Sequence, residues 1–313
     1  MGFVSPALLP SATLTPTTSV KINYHFPVPA IPLWSGGALI YLENNDTATP
    51  VIHTWNEQGI EQVPVAFTIA DANLIRIETV NRAFDGTTAL CGLAYDRTGR
   101  SGGFISWVSA DDQTINTIQS FPYEPRLIAL SPDGTVWTQG TEAISGNDRA
   151  KQVNWQSGVI RHYDRSGKLL NSLIPRSKID DTPEDIAGLR HGFLGLSGDT
   201  LGWYLDYAQK YVELSVSTGA VNVYEGVPIS GLGSHVYFFA MTQTGEVFVA
   251  ARASNGPMSL YSFDRITHKW VNTILPAHND PQASTTLQGS FGNTLAFITN
   301  DGQRQYRFFQ VAH

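Results

Sequence analysis

The chain has 313 residues, carries 20 Lys+Arg against 27 Asp+Glu, and is 42% hydrophobic but only 15% charged. A net charge of −7 without a basic stripe argues against a nucleic-acid binder, and no apolar run reaches the roughly 18 residues of a membrane span. The single cysteine, Cys91, excludes intrachain disulfides and a paired-cysteine zinc site.

Residues 1–19, MGFVSPALLPSATLTPTTS, are rich in Ser, Thr and Pro and hold no charged side chain. The apolar piece Val4–Leu9 is broken by Pro6 and lacks a basic segment before it, so it is not a signal peptide as it stands. The stretch reads as a flexible arm, or as the remnant of a cleaved leader, outside the core in either case. Val20–Phe26 alternates and is the first predicted strand. Residues 20–313 then read as one all-β domain, a class that often runs past about 200 residues.

A turn grammar recurs along this domain. Gly36-Gly37, Ala83–Gly86, Leu130–Gly134, Leu196–Asp199, Met241–Gly245 and Ser290–Asn293 each precede an alternating segment: ALIYLE, TALCGLAY, TVWTQG, LGWYLDY, EVFVAA and TLAFIT. Glycine supplies the positive φ that a tight hairpin needs. A second series of hairpins, with turns starting at Asn56, Ser109, Asp164, Ser217 and Asp264, interleaves with the first. Two hairpins per period of about 50 residues make four strands per unit, the blade of a β-propeller. The units span roughly 32–70, 75–122, 126–175, 191–228, 235–277 and 286–313. The last holds only three strands, LQGSF, TLAFIT and QYRFFQVA. The expectation is a single six-bladed β-propeller closed by the N-terminal strand pairing with the last blade, which protects edges. Seven blades is the alternative.

In such a fold, loops entering the innermost strands share a face with loops joining second to third strands. Two polar insertions, 143–158 and 175–190, fall there, the latter carrying Asp180, Asp181, Glu184 and Asp185. Trp34 and Trp155 fall in loops of the same face, where an exposed indole stacks on a sugar or another ring. Trp34, Trp155, Asp180, Asp181 and Glu184 are the binding candidates. Arg126, His191 and His235 stand just before innermost strands, and His278 lies in the corresponding later loop; they are the candidates for acid–base work. Glu43, Asp96, Glu142 and Asp206 end second strands, with Arg252 and Asn300 at the equivalent places. If those carboxylates converge, they suit a divalent cation such as calcium. Trp137, Trp203 and Cys91 read as packing residues.

LSPDGTVWTQG (130–140) followed by VIRHYDRSGKLLNSL (159–173) resembles a blade of the broad NHL, gluconolactonase-like and TolB-like group of six-bladed propellers. That resemblance implies extracytoplasmic binding proteins, lactonases or lyases, and no catalytic set carries over residue by residue. The leading expectation is a monomeric, periplasmic or secreted module that recognises a protein or glycan on its loop-rich face. The alternative is a metal-assisted lactonase, hydrolase or lyase with its site at the central channel. A structural or assembly module is a third.

Overall fold

The computed structural model describes residues 13–22, 33–111, 114–142, 158–175, 192–206, 208–229, 235–253, 256–273, 284–300 and 304–312. Among them there are strands and turns and no helix. Strand β1 (Thr13–Lys21) comes first, followed by β2 (Leu33–Ser35), β3 (Ala38–Glu43), β4 (Val51–Trp55) and β5 (Val65–Ala66). Four antiparallel four-stranded sheets follow. They are β6 (Leu74–Arg82), β7 (Thr88–Tyr95), β8 (Ser101–Val108) and β9 (Thr114–Gln119); β10 (Tyr123–Leu130), β11 (Val136–Glu142), β12 (Gly158–Tyr163) and β13 (Leu169–Pro175); β14 (Gly192–Ser197), β15 (Thr200–Leu205), β16 (Lys210–Ser215) and β17 (Val221–Glu225); and β18 (His235–Met241), β19 (Val247–Arg252), β20 (Met258–Asp264) and β21 (Lys269–Thr273). The chain ends on β22 (Ser284–Phe291), β23 (Thr294–Asn300) and β24 (Arg304–Ala312).

Local chemistry explains the hairpins. The repeating turn glycines 37, 86, 134, 198, 245 and 292 all have positive φ, from 54° to 91°. The second hairpins turn on a polar first residue. Asn56 Oδ1 accepts from the backbone N–H of Gln58 and Ile60, and Asp164 Oδ1 from those of Ser166 and Lys168. Strand alternation then packs the sheets. On β7, Leu90 joins Ile40, Ile52 and Phe104, while Ala89 and Cys91 join Ile128 and Val136 of the next sheet. Both faces are therefore buried, and each such leucine contributes about 1.5–3 kcal/mol. Trp137 and Trp203 pack in one cluster between neighbouring sheets, and Cys91 is fully buried, as their sequence contexts predict.

The first strands of the sheets sit side by side: β10 lies against β6 and β14, β14 against β18, β18 against β22, and β22 against β2. The last of these contacts is a parallel pair, Trp34 with Gly289, which joins the first and last strand sets into one eight-stranded sheet. Ser35 Oγ accepts the backbone N–H of Arg82 at 2.9 Å and so ties β2 to β6.

An N-terminal strand does pair with the final one, antiparallel from Thr13↔Ala312 to Lys21↔Gln305. It lies earlier than Val20–Phe26: residues 13–19, read as arm, belong to it, whereas 23–26 and 1–12 lie outside the described residues. The composition misleads here because β1 is an outer edge strand. Only Leu14 within it is buried, and Pro16 sits at its register shift, a position where a missing N–H does no harm.

Candidate functional site

Six strands lead the repeating strand sets: β6, β10, β14 and β18 in the four-stranded sheets, and β2 and β22 within the eight-stranded one. Four of these six carry one extra residue against their partner at a comparable place. Register jumps from Ile77 to Thr79, from Pro125 to Leu127, from Val236 to Phe238 and from Leu287 to Gly289. The bulged residues are Glu78, Arg126, Tyr237 and Gln288. A bulge breaks alternation and re-aims its side chain, so it delivers a polar group from a strand otherwise committed to packing. β14 pairs without a bulge. Three of the four bulges have a small residue opposite, whereas Leu287, before Gln288, faces Phe297. Gly92, Gly140 and Ala251 face the residue before three of the bulges. A Cβ on Gly92 would stand 2.0 Å from the Arg76 carbonyl oxygen, and one on Gly140 2.3 Å from that of Glu124. Gly92→Val is thus expected to lower stability by about 1–3 kcal/mol or more, read as a lower urea midpoint. An unchanged midpoint would show that the backbones do not approach so closely.

Two of the bulge residues meet directly. The Arg126 guanidinium pairs with Glu78 from the neighbouring sheet, and with Glu124 of its own strand at 3.2 Å. Thr79 Oγ1 donates to the Arg126 carbonyl, locking β6 to β10 at the same level. Arg126 is only 8% exposed. Sequence places it ahead of its strand because Tyr-Glu-Pro-Arg reads as loop. In fact β10 starts at Tyr123, whose buried hydroxyl lies 3.1 and 3.0 Å from the carbonyls of Thr138 and Val159. Gln288 is buried, and its Oε1 has no hydrogen-bond partner among the described residues.

A second cluster lies at the start of β18. His235 is the register partner of Arg252, and Tyr237 follows on the bulge. Arg252 donates to the Tyr237 hydroxyl at 2.8 Å, with its guanidinium 5.2 Å from the phenol centroid. Asp206, from the neighbouring sheet, accepts the Val236 N–H at 2.9 Å and lies 3.8 Å from His235 Nδ1.

The remaining candidates divide sharply. Glu43, Asp96, Glu142 and Asp206 do end or follow second strands, yet three of them are engaged within their own sheets. Glu43 bonds His53 at 2.7 Å, and Glu142 pairs with Arg161 at 3.0 Å. Asp96 caps its own turn, where the hydroxyl of Thr98 holds its carboxyl below the usual carboxylate range. Asp206 alone meets another candidate, His235. No group of three or more His, Cys, Asp or Glu is placed to hold a metal ion among the described residues, so the calcium expectation gains no ligand set there. Trp34 corrects the sequence reading: it is 3% exposed on β2, its indole 4.7 Å from the Phe308 ring and stacked on Tyr306. Its indole belongs to a packing cluster with Leu39, Trp55, Tyr306 and Phe308, and the sequence reads it as a loop residue because a three-residue strand between Pro32 and Gly36 looks like a loop. Trp155, Asp180, Asp181, Glu184, Asp185, His191 and His278 lie outside the described residues, and so does the side chain of Asn300. The bulge residues Glu78, Tyr237 and Gln288 and the neighbouring Glu124 escape sequence reasoning. For the bulges on β6, β10 and β18 the available signal is the small residue opposite, since Gly92, Gly140 and Ala251 interrupt apolar second strands; Gln288 has no such signal, because Leu287 faces Phe297.

No family model matches the chain, and no curated protein does. Among solved structures it resembles a luciferin-regenerating enzyme at a TM-score of 0.51 and 12% identity, covering 95% of this chain and 97% of that one. It also matches a chain in the crystal structure of a mitotic checkpoint complex at a TM-score of 0.45 and 13% identity, covering 100% of this chain and 97% of that one. The likeness to the luciferin-regenerating enzyme supports a propeller-like β fold and nothing finer.

Proposed function

We propose that this chain is a six-bladed β-propeller, closed by β1 on β24, that binds a glycan or protein ligand at its central channel and the adjoining loop face. The observation that carries this reading is the set of bulges on leading strands. Packing alone would put similar apolar groups at equivalent places in a repeat. Here the equivalent places hold a carboxylate, a guanidinium, a phenol and a carboxamide, borne on strands and so fixed more rigidly than loop residues. A buried amide oxygen without a partner among the described residues, that of Gln288, is also a costly feature for stability alone, about 1–3 kcal/mol, and suits a hydrogen-bond donor supplied by a ligand.

The metal-assisted alternative asks for converging carboxylates. Glu43, Asp96 and Glu142 are instead held by His53, Thr98 and Arg161. The binding reading is tested by melting-shift screening with oligosaccharides and peptides, followed by titration of any hit. Gln288→Leu, which removes the amide and keeps the volume, should leave the melting temperature near that of the parent and weaken the hit about fivefold or more. A ligand bound equally well by Gln288→Leu and Glu78→Gln, or a flat response to the whole panel, would count against the reading.

A further inference from the structure

The cluster at the start of β18 differs in one respect from four other arginine sites. Arg76 pairs with Asp46, Arg126 with Glu78 and Glu124, Arg161 with Glu142, and Arg265 with Glu213. Arg252 is exposed, and among the described residues its side chain meets a phenol in place of a carboxylate. The contact has a chemical consequence. The Tyr237 oxygen accepts from Arg252, which leaves the phenol O–H to point elsewhere as a donor. The guanidinium keeps further N–H groups, since only one of its five is used in that contact. His235 stands beside them, its side chain 60% exposed and its ring 6.5 Å from that of Tyr237, nearly perpendicular at 83°.

We infer that Arg252, Tyr237 and His235 form a binding site for an oxyanion, a carboxylate or phosphate group carried by a ligand. Three features fit that chemistry. The donors come from three different side chain types on one end of a paired strand couple, with His235 and Arg252 directly opposite. The bulge, an element of the backbone, sets the place of Tyr237 between them. Asp206 is turned away from competing for Arg252: its carboxylate accepts the Val236 N–H and Gln209 Nε2, and its other oxygen faces His235 Nδ1. A planar guanidinium is the side chain best matched to carboxylate and phosphate.

This inference shares Tyr237 and its bulge with the channel reading but turns on Arg252 and His235, so its failure, read in Arg252→Ala, is distinguishable from failure of the channel reading, read in Gln288→Leu and Glu78→Gln. The test uses the full chain in calorimetric titration with inorganic phosphate and, in a second arm, with citrate, at constant ionic strength set by sodium chloride. Saturable binding of at least one probe is expected, and the stronger arm identifies the preferred oxyanion. Arg252→Ala should weaken it about tenfold or more, and Tyr237→Phe by a smaller factor, because a charge-assisted donor is lost in the first and a neutral one in the second. Arg165→Ala, an exposed arginine in another sheet, should bind as the parent does. Circular dichroism of each variant should match the parent, since Arg252 is exposed. No saturable binding of either probe, or equal binding by the parent and Arg252→Ala, would overturn the site.

Discussion

Arg126→Ala is expected to cost about 3–5 kcal/mol and roughly 6 °C or more in melting temperature, the largest effect of any single substitution considered. The guanidinium is 9% exposed, and its partners Glu124 and Glu78 are 11% and 22% exposed. Removing it leaves two carboxylates close together, partly desolvated and without a counter-charge. The loss is therefore chiefly the penalty of stranded charge and only in part the worth of the pair. That distinction is measurable. Arg126→Met combined with Glu78→Gln and Glu124→Gln removes all three charges and should recover most of the loss in denaturant unfolding. If Arg126→Ala unfolds within about 1 kcal/mol of the parent, the cluster is solvated like a surface pair, and the bulges on β6 and β10 are not coupled through it.

Deleting residues 1–22 should be comparably damaging, for a different reason. The deletion strips β24 of its outer partner, a pairing that runs from Thr13↔Ala312 to Lys21↔Gln305. It also uncovers the cluster of Phe309 and Val311 that Leu14 completes, and that of Trp34 and Tyr306 that Ile22 completes. Burial of those two side chains alone is worth about 3–6 kcal/mol. The exposed edge would carry Tyr306, Phe308 and Phe309, so the truncated chain should also self-associate, which light scattering would detect. Thr15→Lys, at an exposed position of β1, should stay within about 0.5 kcal/mol of the parent. A truncated chain that melts with the parent and stays monomeric would show that β1 is dispensable for holding the last sheet.

Turns were the most legible part of the sequence because they are settled locally. A glycine's positive φ and an aspartate capping the N–H two residues on depend on neighbours within one hairpin, and Gly134 and Asp164 behave as their contexts predict. Bulges are settled by a partner strand, so Glu78 reads as one more polar residue in an alternating strand. Arg126 reads as loop because Pro125 precedes it. Trp34 fails for the same reason at longer range: its strand has three residues, and the pairing that buries it is with Gly289. The carboxylates Glu43, Asp96, Glu142 and Asp206 stand at or just after the ends of second strands, where sequence puts them, but their partners are not legible there. Position along a strand follows from register. The partner that holds each one, His53 for Glu43 and Arg161 for Glu142, sits on the adjacent strand and carries no spacing signature.

The pairing of β1 with β24 also bears on the order of events during synthesis. Thr17 Oγ1 donates to the carbonyl of Phe308, a contact spanning 291 positions. At about 5–20 residues per second, a ribosome takes roughly 15–60 seconds to cover that interval. The segment made first must therefore stay unpaired while every intervening sheet emerges, and it is among the last to find its place. Its polar, proline-containing sequence suits that wait. TLTPTTSVK is a poor template for misplaced pairing with the half-finished sheets it meets in the meantime.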